Sequence, residues 1–367
     1  MATSSDVGSK RRTKSRKHRL AFRLTSIVIA TVISWCAGEL IVLLSGVNNS
    51  FRSTSKAEII PRTGGPYELL PHGHVPYASI RYTYPTNPRG YFDQSYGIVH
   101  TFNSEGWRDS EHQTEKLIDD VRILGLGDSY TFGQGVKREH LFLTHLESLL
   151  GEKLDGRHVE TINTGQPGYN TAMEKQLLNR RGLDYDPDVV LLSFVPNDVE
   201  PDIYADRPKV EFFEEFTTSY ADQDWMSEHS ELWMLIRRNV QRYSAGNSYL
   251  QKSIDSYLSE PEKWNRCRDA LTGIRDLCQQ NDCKLAVAIF PFFVNLNGDY
   301  PFQPIHDHVR SFCDEAGIPV VDLRDSFREF EGPELWVHPT DQHPNEQAHK
   351  IAAEAISQFL VENDLVP

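Results

Sequence analysis

The sequence predicts a parallel α/β fold over residues 119–363, and two observations predict it. Five short apolar segments, 121–126, 158–163, 189–194, 284–290 and 319–323, have the length and composition of buried strands. Segments with a helical spacing of apolar residues lie between and after them, at 139–150, 171–181, 262–280, 305–315 and 345–360. In the last of these, Ile351, Ala352, Ala355, Ile356 and Leu360 form one apolar face. Apolar strands alternating with helices predict a parallel sheet covered on both faces. The chemistry of such sheets gathers at the carboxyl ends of the strands.

The chain begins differently. Residues 1–23 hold eight Lys/Arg and one acid, Asp6, giving them a charge of +7. Residues 24–44 follow with a single charge, Glu39. As a helix these 21 residues would span roughly 31 Å, about the thickness of a bilayer core. Glu39 lies near one end, where its carboxylate can reach toward the interface. No small-residue cleavage pattern follows, so the expectation is a single uncleaved anchor, with a cleaved signal peptide as the competing reading. The basic tail would stay in the cytoplasm and the body would be extracytoplasmic.

Residues 45–118, rich in Pro, Gly, Tyr and Arg, read as a stalk followed by short strands at 80–84 and 97–102. With a net charge of −14, the chain carries −21 beyond its basic tail. An acidic body excludes nucleic acid as the expected partner, since phosphate binding needs a basic face. Four cysteines beyond the anchor, Cys267, Cys278, Cys283 and Cys313, leave disulfides and free thiols both open. Their spacing matches no zinc pattern, no phosphate-binding glycine loop is present, and no cofactor is expected.

Four fragments carry chemistry. Gly127-Asp128-Ser129-Tyr130 ends the first strand in a sharp turn that presents a serine. After the second strand, Asn163-Thr164-Gly165-Gln166-Pro167-Gly168 offers backbone N–H groups at a glycine turn. After the third, Val195-Pro196-Asn197-Asp198 places a side-chain amide that can donate to a developing oxyanion. Before the last helix, Thr340-Asp341-Gln342-His343-Pro344-Asn345 sets an imidazole beside a carboxylate, which a general base needs. Each fragment alone also fits an ordinary turn or cap. Their occurrence in order, each at a strand or loop end, favours one site.

Residues 199–260 interrupt the α/β rhythm. From Asp198 to Glu231 there are eleven acids against two basic residues, and a helical stripe follows at 231–243. An insertion that shapes the catalytic face and a peripheral decoration are both consistent with this pattern. Asp198, Asp202 and Asp206 read as surface charge rather than a cation site, because Pro201 and the missing glycine loop argue against an EF-hand.

Gly127-Asp128-Ser129, Gly168, Asn197-Asp198 and Asp341…His343-Pro344 resemble the four sequence blocks of the SGNH (GDSL) hydrolases. The resemblance covers roughly 119–363. It implies a flavodoxin-like three-layer α/β/α sandwich with a five-stranded parallel sheet. Ser129 would be the nucleophile, with its own N–H, the Gly168 N–H and the Asn197 amide as oxyanion hole. His343 would be the base and Asp341 its orienting acid, with no metal. The sequence departs from the family in two places. Val195 stands where the third block usually has Gly, and Thr340 stands where the acid normally lies, three residues before the histidine. His338-Pro339 is a competing base that lacks an acid two or three residues before it. The resemblance implies a serine esterase acting on acyl esters; the expected anchor would place it outside the cytoplasm, where carbohydrate-linked esters of the cell envelope are candidate substrates. An O-acyltransferase using the same acyl-serine and an inactive binding module of the same fold are the alternatives.

Overall fold

A computed structural model describes residues 6–51, 56–60, 73–201 and 225–367, the side chains of 6–17, 56–60 and 242–245 excepted. The acidic stretch 202–224, with Asp202 and Asp206, lies outside the described residues, as do 61–72 of the expected stalk. In chain order the elements are α1 (Asp6–Ser45), β1 (Lys56–Ile60), β2 (Ser79–Thr83), β3 (Gly97–Thr101), β4 (Val121–Gly127), α2 (Ser129–Phe132) and α3 (Phe142–Lys153). Next come β5 (Val159–Asn163), α4 (Thr171–Arg180), β6 (Val189–Phe194), α5 (Trp225–His229), α6 (Glu231–Leu258) and α7 (Pro261–Gln280). The chain ends with β7 (Lys284–Ile289), α8 (Gln303–Ala316), β8 (Val320–Asp322), β9 (Trp336–His338), β10 (Asp341–Pro344) and α9 (Glu346–Glu362). They form two compact units: Met1–Arg52 with Ser219–Ala245, and Ser53–Thr218 with Gly246–Pro367.

The larger unit is built on a five-stranded parallel sheet in the order β5-β4-β6-β7-β8. All residues of β4 and β6 are buried, which explains their uninterrupted apolar runs. Helix α3 packs with α9 and α4 with α7, completing the three-layer sandwich. The chain leaves β4 for β5 on one side and then crosses to β6 on the other. The carboxyl end of β4 is therefore a switch point, where a crevice opens in such sheets.

The segment read as stalk and short strands contributes more than a spacer. Strands β1, β2 and β3 form an antiparallel sheet. Ile80, Tyr82, Tyr84, Phe92, Ile98 and Phe102 share a buried cluster with Phe132, Val136 and Val337 of the sandwich. The buried Arg108 guanidinium donates to the carbonyls of Phe132 and Gly133 at 2.6 Å each, and to that of Val136. Burial pulls Arg108 down to about 10, which leaves it charged at neutral pH. It holds the turn after α2 in place.

Two other features differ from the sequence expectation. The helix expected at 231–243 continues to Leu258, since the next proline is Pro261, at the start of α7. The four cysteines beyond the anchor are buried free thiols, which settles the open alternative against disulfides.

In the smaller unit, His18–Ser45 of α1 is long and apolar enough to cross a membrane, and an 18-residue stretch of it has a mean hydropathy of 2.3. Glu39 does not reach outward for solvent. Its carboxylate accepts from Ser230 Oγ at 2.7 Å, from the Leu232 N–H at 3.1 Å and from the Glu231 N–H, so it caps the start of α6. Asn48 donates to the Glu231 carbonyl at 2.8 Å and accepts from Arg238 at 3.0 Å.

The loop after β5 lies directly on the turn after β4. A Cβ at Gly165 would come within 2.3 Å of the Phe132 nitrogen and 2.7 Å of the Thr131 carbonyl carbon. Backbone atoms cannot move aside as a side chain can. Gly165→Ala is therefore expected to destabilise the larger unit by about 1–3 kcal/mol, read as a lower urea midpoint. An unchanged midpoint would contradict this packing.

Candidate active site

Gly127 ends β4 at φ 155°, and a Cβ there would lie 2.1 Å from Thr131 Oγ1. This glycine lets the chain turn sharply into the one-turn helix α2. Asp128 caps that helix by accepting from the Tyr130 N–H at 2.8 Å, and Ser129 begins it. Ser129 is thereby held at the carboxyl end of β4, next to the central strand β6.

His343 comes from the other end of the chain. The β9–β10 hairpin carries it, and its Nε2 lies 2.9 Å from Ser129 Oγ. Its Nδ1 bonds to Asp341 Oδ1, and its backbone N–H reaches the same oxygen at 3.1 Å. The tight hairpin explains how an acid two residues before the histidine can serve it, rather than one three before. Asp341 Oδ2 accepts from the Tyr84 hydroxyl at 2.8 Å and from Gln134 Nε2 at 3.2 Å. Thr340, at the position where the family places its acid, instead meets His338 Nδ1 at 2.6 Å. The other His338 nitrogen meets Thr86 at 3.0 Å, and burial pulls that imidazole down to about 4. His338 thus lies outside the chain of bonds that ends on Ser129.

The electrostatics follow from this arrangement. Burial opposes the charge on Asp341, but His343, Tyr84 and the backbone outweigh it and hold the carboxyl down at about 2. Burial likewise opposes the imidazolium of His343. The adjacent Asp341 charge and hydrogen bond, with Asp128 beyond, nevertheless raise its pKa above the ordinary value.

The remaining expected residues are placed less directly. Asn197 follows β6 and donates to Asp128 Oδ2 at 3.2 Å. This bond uses one of its two amide hydrogens and leaves the other for a second acceptor. Gly168 sits at φ 78° in the turn closed by Tyr169 N–H to the Gln166 carbonyl at 3.1 Å. That turn is tied to the end of β4 by Gln166 N–H to the Gly127 carbonyl at 3.0 Å. Gly168 itself takes no part in the chain of bonds that joins Ser129, His343 and Asp341.

Several residues at the site carried no local signal. Tyr84 lies 257 positions from the acid it contacts. Glu174, which the sequence did not flag, lies buried behind Asp128, and so does Asp198, whose expectation as surface charge is overturned because it is 2% exposed. Both Glu174 carboxyl oxygens are buried without a partner among the described residues. Burial, with Asp128 nearby, pushes both acids well above the usual carboxylate range. Among the described residues no group of three or more His, Cys, Asp or Glu is placed to hold a metal.

Residues 126–351 match the model of the GDSL-like lipase/acylhydrolase family. Comparison with curated proteins finds no match. Among solved structures, a two-domain esterase active on acetylated mannans is 16% identical at a TM-score of 0.40. The alignment covers 68% of this chain and 51% of that one, so the chain spans about half its length. A mutant of an acetylxylan esterase from Geobacillus stearothermophilus is 15% identical, with a TM-score of 0.41 and coverage of 65% and 94%. A putative lipolytic protein of the G-D-S-L family from Desulfitobacterium hafniense is also 15% identical, with a TM-score of 0.38 and coverage of 65% and 99%.

The His343 imidazole is expected to titrate above the ordinary histidine value. Asp341→Asn should bring it down, because burial then acts without the opposing charge. Histidine ring-carbon NMR shifts followed against pH test this. A His343 titration that stays in place in the variant would contradict it.

Proposed function

We propose that this chain, which belongs to the GDSL-like lipase/acylhydrolase family and is a serine ester hydrolase, works through an acyl intermediate on Ser129. The observation that carries the reading is the continuous bonding from Ser129 Oγ through His343 to Asp341. His343 Nε2 takes the hydroxyl proton as Oγ attacks the ester carbonyl. Asp341 fixes the ring with Nδ1 protonated and stabilises the imidazolium that forms. The N–H groups of Ser129 and Gly168, with the second amide hydrogen of Asn197, receive the oxyanion. In this reading Asp128 acts by orienting Asn197. Collapse expels the alcohol, which takes the proton from His343, and water then releases the acyl group by the same steps in reverse.

Because His343 must be neutral to accept the proton, kcat/KM should rise with pH through a pKa above the ordinary histidine value. The proposed location is extracytoplasmic, tethered by α1, with the basic amino terminus in the cytoplasm. A domain held at a membrane meets surface polymers, so short acyl esters on envelope carbohydrate are the proposed substrates. Tyr257, in the part of α6 that belongs to the larger unit, donates to the Pro196 carbonyl at 3.0 Å. This contact, one residue from Asn197, supports a substrate-shaping role for the end of the insertion.

Hydrolysis of p-nitrophenyl acetate by the full chain tests the reading. Ser129→Ala should abolish turnover, and Asn197→Ala should keep the fold while losing roughly 10²–10³ in kcat. Activity that requires an added hydroxyl acceptor would turn the assignment to acyl transfer. A Ser129→Ala protein as active as its parent would refute the nucleophile.

A further inference from the structure

We propose that α5 and the first turns of α6 form a second membrane-contacting element, seated in the lipid boundary where α1 leaves the bilayer. The inference rests on the reading of α1 as a membrane span. It begins at Glu39, which still has the apolar residues Leu40, Ile41, Val42, Leu43 and Leu44 ahead of it in the helix. Glu39 therefore lies about 7 Å short of the end of the apolar run. A carboxylate at that depth is costly, and so are the unpaired N–H groups at the start of a helix. Here the two satisfy each other: Glu39 accepts from Ser230 Oγ and from the N–H groups of Glu231 and Leu232. The start of α6 consequently shares the depth of Glu39.

The two helices touch at that level, where a Cβ at Gly38 would lie 2.9 Å from the Leu232 side chain. Seven residues after Glu231, Arg238 bonds to Asn48 and lies 3.9 Å over the Phe51 ring. Helix α6 thus climbs alongside the exit of α1. Leu232, Ile236 and Val240 recur at four-residue spacing and form one stripe. The stripe meets Gly38 through Leu232 and then continues uncovered, with Ile236 41% and Val240 62% exposed. Trp225 and Met226 of α5 are 70% and 42% exposed.

The occupant is lipid because these exposed apolar residues follow a helix start that is bonded to Glu39, inside a span that itself exposes Leu40, Ile41 and Leu44. Asn239 and Gln241, exposed polar residues two turns further along α6, suit the headgroup layer. A tryptophan at such a boundary is also in its preferred setting.

Nitroxide labels on single cysteines, introduced into the full chain in lipid nanodiscs, would test the proposal. Cys36→Ser provides the background, since the other four cysteines are buried. Labels at Met226→Cys and Ile236→Cys are compared with Val28→Cys on α1 and Asn239→Cys on α6, in proteins whose unfolding midpoints match the parent. The expected result is a ratio of oxygen to nickel-chelate accessibility at Met226 and Ile236 approaching that at Val28, with Asn239 falling toward the value in water. Nickel-accessible labels at Met226 and Ile236, with Val28 still oxygen-rich, would overturn the proposal and leave the anchor intact. Labels shielded from both reagents would indicate protein contact and also overturn it. A nickel-accessible Val28 would remove the anchor reading and this inference together, leaving the hydrolase reading untouched.

Discussion

The site depends on one hydrogen bond, between Ser129 Oγ and His343 Nε2, which closes a separation of 214 residues. Neither partner can be moved independently. Ser129 is fixed by the end of β4 and by the Asp128 cap, and His343 by a hairpin packed against the amino-terminal segment. The sheet order brings these pieces to one switch point, so the fold does for the site what no local sequence could do.

The surroundings of that bond are unusually charged for a buried place. Asp341 stays ionised because it has three kinds of donor: an imidazole, a tyrosine hydroxyl and an amide side chain. Glu174, with no such partners among the described residues, is pushed toward its neutral form. Two acids in one core are thus shifted in opposite directions according to whether hydrogen bonds offset their burial. Tyr84 and Arg108 come from residues that precede the sandwich. The amino-terminal segment is therefore part of the site's support rather than a tether.

Much of the sandwich was legible because its strands are buried on both faces, which leaves unbroken apolar runs such as 121–126 and 189–194. The pairing of His343 with Asp341 was legible for a different reason, since a carboxylate two residues away is a local feature. The β9–β10 hairpin was not, because three- and four-residue strands carry too little pattern. Tyr84, Gln134 and the Asp128–Asn197 contact were hidden because they join residues distant in sequence. Glu39 misled for a physical reason: a lone acid near the end of an apolar run looks the same whether it reaches for water or caps another helix.

The central claim is that Ser129 carries the acyl group, and acid-quenched peptide mass spectrometry during p-nitrophenyl acetate turnover tests it most directly. The account predicts an acetyl group on the peptide containing Ser129, accumulating in Asp341→Asn if deacylation is slowed more than acylation, and absent from Ser129→Ala. An acetyl group on another residue, with Ser129 unmodified while product forms, would contradict it.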